Sequence, residues 1–141
     1  MTNADMARSY LRQAREILGE AERQRAARVW HLVVRRSQEA VERALKALLR
    51  ASGVEVPHVH DVGIFLAEHR ERLPPAVTPQ LERLVSVSRR LRQEREVSFY
   101  GDEETGAPPE RLYSAQDADE ALGEAQFVLT LCEGAVPPTA K

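Results

Sequence analysis

From Trp30 to Leu49 the apolar residues fall at Trp30, Val33, Val34, Val41, Ala44, Leu45, Leu48 and Leu49, with Ser37 on the same stripe. Steps of three and four residues are the helical repeat, so the spacing predicts one long helix over residues 26–51. Gly53 supplies its stop. A stripe this long has to be buried against other helices. Its length is expected to exceed what the rest of the chain covers, which predicts a homodimer.

The other segments supply the covering helices. Met6, Tyr10, Ala14, Ile17, Leu18 and Ala21 predict a first helix over 4–23, with a hinge near Gln24. Asp61 is placed to cap a short third helix through Ile64, Phe65, Leu66 and His69, which Pro74-Pro75 ends. Thr78 and Pro79 have the N-cap and first-turn pattern of a fourth helix, with Leu81, Leu84, Val85, Ser88 and Leu91 facing inward. Ser114 and Asp117 have capping-box spacing and open a fifth through Leu129 and Cys132, closed by Gly134. No useful alternation of period two appears. The expected fold is all-α, an antiparallel up-and-down bundle of about five helices, with residues 1–134 as one domain and 135–141 as a tail.

Composition narrows the function. In 141 residues, 43% hydrophobic content supports a core without disulfides. A net charge of −2 means no global positive field, so any polyanion site has to be a local patch. Cys132 is the only cysteine and lies on the apolar face of the fifth segment, so it reads as core. The polar start "MTNADMARSY" has no signal-peptide core, and no apolar run reaches a membrane-spanning length. The expectation is a cytoplasmic protein without a membrane anchor.

One stretch departs from the helical pattern. "RQEREVSFYGDEE", residues 92–104, leaves a helix through Phe99-Tyr100, turns at Gly101-Asp102 and ends in acid. Arg95 continues the inward face of Leu84, Ser88 and Leu91. A cation there needs a counterion or a phosphate, which the guanidinium fork grips bidentately. Tyr100 is able to stack on a base or to pack against the bundle. Arg89 and Arg90 read as a solvated face. Glu42 and Lys46 form an i,i+4 pair at the stripe's edge. His58, His60 and Asp61 have metal-ligand chemistry but no further ligand nearby, so no metal and no cofactor are expected. His31 and His69 read as boundary residues.

"AVERALKALLRASGVEVPHVHDVGIFLAEH", with Glu42, Lys46, His60 and Asp61, resembles the central signature of the HEPN domain family (higher eukaryote and prokaryote nucleotide-binding). "REVSFYGDEETGAPPERLYSAQDADEALGEAQFVLTL" is similar to the C-terminal half of a prokaryotic branch. The resemblance implies a helical, homodimeric protein, often one half of a toxin–antitoxin pair with a minimal nucleotidyltransferase. It also implies that many relatives are metal-independent ribonucleases, marked by Arg, four to six residues, then His. Here Arg95 stands at the arginine, Tyr100 stands where histidine is expected, and no histidine follows His69. The resemblance further implies that in some relatives a tyrosine near that motif receives AMP, and the position it implies here is Tyr100. Three readings follow. The first is a binding or regulatory module for RNA, a nucleotide or a partner nucleotidyltransferase, with Arg92, Arg95, Tyr100 and Asp102 as ligand contacts. The second is an endoribonuclease in which Arg95 and Tyr100 are the catalytic candidates. The third is a dimeric scaffold without a ligand.

Overall fold

The computed structural model describes residues 2–56 and 61–137. His58 and His60, the two histidines of the metal reading, lie outside them. Among the described residues there are five α-helices and three short 3-10 turns: α1 (Asn3–Ala26), α2 (Trp30–Ala51), α3 (Val62–Glu68), α4 (Leu81–Tyr100) and α5 (Ala115–Ala135). The all-α bundle expected from periodicity is the observed fold. None of its helices is long and apolar enough to cross a membrane.

α2 is the axis of the bundle and packs against all four other helices. Val33, Val34, Val41, Ala44, Leu45, Leu48 and Leu49 are each at most 2% exposed within the single chain. From Val33 to Leu49 the stripe is therefore covered by its own neighbours, while Trp30 at its start is only partly buried. Ala7, Leu11, Ala14, Leu18 and Ala21 of α1 close one side of it, and Ala118, Ala121, Leu122, Ala125, Val128, Leu129 and Cys132 of α5 close another. The alanines let these helices approach closely, which is how a narrow bundle buries so long a stripe. Burial pushes the Cys132 thiol up to about 12, consistent with an inert core position.

The caps fall largely where polar side chains predict them. Ser114 Oγ accepts from the Asp117 amide at 3.1 Å, and the Asp117 carboxylate accepts from the Ser114 amide at 2.9 Å. Asp61 Oδ1 accepts from the Gly63 amide at 2.9 Å. Three boundaries differ from expectation. Thr78 and Pro79 form a separate 3-10 turn, Thr78–Gln80, with no side-chain cap, and α4 starts at Leu81. α1 runs past Gln24 to Ala26, and the break falls at Arg28, whose φ is +62° without a glycine. Gly134 does not end α5. The helix continues to Ala135, Val136 is buried, and Arg8 Nε of α1 donates to the Pro137 carbonyl at 2.8 Å.

Candidate functional site

The inner face of α4, Leu84, Ser88 and Leu91, packs on the core, and two different surfaces form on its shoulders. One faces α2 and α3. The other faces α5 and the loop over residues 102–113.

The α2 shoulder is arginine-rich. Arg92 lines a water-sized void with Gln38, Glu42, Val62 and Ser88. Arg95 lies one turn further on, partly buried. Its backbone carbonyl accepts a hydrogen bond from Arg35 of α2 and another from Ser98 Oγ at 3.4 Å. Its guanidinium has no hydrogen bond or ion pair among the described residues, neither with Glu96 nor with Asp102. Arg35 stands 5.0 Å over the Phe99 ring, and Phe99 meets Tyr100 edge to face at 5.1 Å. Both rings open outward, Phe99 at 46% and Tyr100 at 63% exposure. Two aromatic faces at the end of a helix, beside three arginines, form a surface suited to a base and its phosphate.

Glu42 and Lys46 sit further along α2 as the expected i,i+4 pair, at 3.7 Å. Gln38 donates to Glu42 at 3.5 Å. Their half-buried carboxylate and ammonium neutralise each other, so they support the seam without adding net charge to it.

The α5 shoulder is a cleft of about 530 Å³. Val34, Leu91, Val97, Leu112 and Ala121 form its walls; Glu94, Asp102, Asp117, Glu120, Arg90 and Tyr113 form its polar lining. Asp102 therefore lies on the opposite shoulder from Arg92. Its carboxylate is held by the loop: Oδ1 accepts from the Glu104 amide at 3.0 Å, and its own amide donates to the Ala107 carbonyl at 2.9 Å. Tyr113 donates its hydroxyl to Glu94. Partial burial, and then that carboxylate, push the Tyr113 phenol well above its ordinary value, so it stays protonated and donating. Arg90, read as solvated, is exposed and paired with Glu124.

The structure thus joins Arg92, Arg95 and the aromatic pair on one side and separates Asp102 from them. Sequence reading missed Arg35, Glu94 and Tyr113. Arg35 directly follows the stripe residue Val34, a position from which a side chain reaches the neighbouring helix. Nothing local in the sequence pairs Glu94 with Tyr113, nineteen residues apart.

Comparison with known proteins agrees with this architecture. The family model of the HEPN domain matches residues 7–135. Among solved structures, TT1696 from Thermus thermophilus is similar with a TM-score of 0.76 and 32% identity, covering 92% of this chain and 97% of that one. ST0689, an archaeal HEPN homologue, has a TM-score of 0.70 at 24% identity, covering 93% and 98% respectively, a likeness of fold alone. No curated protein matches the chain.

Proposed function

The chain belongs to the HEPN domain family, and from that premise we propose that it is a binding module for RNA or a nucleotide, not a nuclease, with Arg95 as its phosphate grip. The observation that carries this reading is Arg95, a partly buried residue whose side chain has no protein counterion among the described residues, one helical turn before the outward Phe99-Tyr100 pair. A guanidinium not engaged by a protein carboxylate is left to grip a phosphate, which its planar fork does bidentately. Arg92 and Arg35 lie on the same shoulder, Arg35 paired with Glu39 at 3.9 Å.

Strand cleavage needs a group to take the 2′-hydroxyl proton and another to protonate the leaving oxygen. Histidine does this near neutrality because its pKa is about 6.5. Tyrosine, at about 10, is a poor base there. Arginine stabilises charge but does not shuttle protons. Among the described residues, the side chains of the seam, Arg35, Arg92, Arg95 and Tyr100, suit charge stabilisation and not proton transfer.

The test is a fluorescent single-stranded RNA in EDTA, followed by anisotropy and by gel. Wild-type protein is expected to bind without cutting. Arg95→Ala is expected to bind about tenfold or more weakly, the loss of one charge-assisted pair, and the affinity is expected to fall with added salt. Robust wild-type cleavage that Arg95→Ala abolishes would overturn the binding reading in favour of the nuclease. Cleavage gained in Tyr100→His alone supports it.

The exposure of Tyr100 favours a second, compatible role within a toxin–antitoxin pair. The residue is 63% exposed, which modification by a partner nucleotidyltransferase requires. Co-expression with such an enzyme is expected to add an AMP-sized mass that Tyr100→Phe removes; an unmodified intact mass rejects this role.

A further inference from the structure

We propose that the cleft between α2, α4 and α5 is a second binding site, separate from the arginine seam, and that it takes a small organic cation: an ammonium or guanidinium carried on an apolar stem. The cleft's volume of about 530 Å³ falls within the roughly 300–1,000 Å³ of small-molecule sites. Val34, Leu91 and Ala121 give it an apolar floor. Its rim carries four carboxylates, Glu94, Asp102, Asp117 and Glu120, against one guanidinium, Arg90. That guanidinium is itself drawn to Glu124. The rim's negative charge is therefore uncancelled, and a phosphate is repelled from it. A polyanion suited to the arginine shoulder of α4 has no place on the other.

The cleft is also formed in advance. Asp102 is fixed by the Glu104 amide and the Ala107 carbonyl, Asp117 is fixed by the α5 cap, and Glu94 is fixed by Tyr113. Each carboxylate uses only part of its acceptor capacity in these bonds. Glu120 is exposed and, among the described residues, accepts only from Gln116, at 3.2 Å. An apolar stem against the floor with its charged head among these oxygens satisfies both surfaces, as long basic side chains do on protein surfaces. Phosphate-bearing and anionic ligands fail on charge, and a neutral apolar ligand leaves the rim unused.

The experiment follows backbone amide shifts of 15N-labelled full-length protein during titration with n-butylguanidinium, spermidine, butyrate and an arginine-containing tripeptide. Both small cations are expected to shift the amides of Leu112, Tyr113, Glu120 and Ala121 saturably, and butyrate is expected to leave them in place. Glu120→Arg, a change at an exposed position, is expected to weaken cation binding about fivefold or more. Absence of localised shifts, equal shifts with butyrate, or unchanged affinity in Glu120→Arg overturns the assignment. A response to the tripeptide without one to the small cations overturns it as well. The readout does not involve RNA, so its outcome is independent of the Arg95 reading.

Discussion

Gly101→Ala is expected to destabilise the protein by about 3 kcal/mol, a large effect for one methyl group. Gly101 closes α4 with φ +80° and ψ −169°, a region that side chains essentially exclude. A Cβ there would lie 2.3 Å from the Ala107 carbonyl oxygen and 3.1 Å from the Pro108 Cα. Neither atom is free to retreat, because the Ala107 carbonyl accepts from the Asp102 amide at 2.9 Å and so ties the loop to the helix end. Gly106 is the matched control. Its φ of +73° is also left-handed, yet a Cβ there meets nothing within 4 Å. Gly106→Ala is expected to cost only the backbone term, about 1 kcal/mol. Urea unfolding of the two variants separates clash from backbone strain. Equal losses would show that the Ala107 contact does not hold this corner. The loop over 102–113 forms one wall of the acidic cleft, so Gly101→Ala is also expected to broaden the amide signals of Leu112 and Tyr113.

This corner marks the limit of what the sequence made legible. Helix existence and facing were legible because they depend on one-dimensional periodicity: the α2 stripe from Val33 to Leu49, the alanine face of α5, and on α4 Leu81, Leu84, Ser88 and Leu91, though there Val87 is buried and Val85 only partly so. Cap chemistry was legible at Asp61 and Ser114, where a side chain satisfies amides a few residues away. It failed at Thr78, where a 3-10 turn intervenes before α4 and the hydroxyl caps nothing. It failed again at Arg28, a left-handed residue with no glycine or proline to announce it. The site was legible only in part. Arg92, Arg95, Tyr100 and Asp102 are close in sequence, and proximity suggested one cluster. The helical turn sends Arg92 toward α2, while the chain past Gly101 folds Asp102 back toward α5. Which shoulder a residue reaches is a property of packing, and one sequence does not carry it.

The same helix α2 allows a paired test of its packing. Leu45 is fully buried at the centre of the stripe. Leu45→Ala removes its apolar contacts and leaves a cavity between helices that cannot close fully, so a loss of about 2–5 kcal/mol is expected. Ser37 is also fully buried on α2, but its hydroxyl has no hydrogen-bond partner among the described residues. An unpaired buried hydroxyl is unfavourable, and alanine is the better helix former. Ser37→Ala is therefore expected to be neutral or to stabilise by about 1 kcal/mol. Chemical denaturation of both variants, with m-values compared, checks this opposition. A loss above about 1 kcal/mol in Ser37→Ala would mean that the hydroxyl finds a partner in solution. A loss below about 1 kcal/mol in Leu45→Ala would mean that the bundle closes around the gap, and that α2 is less tightly enclosed by its own chain than its burial implies.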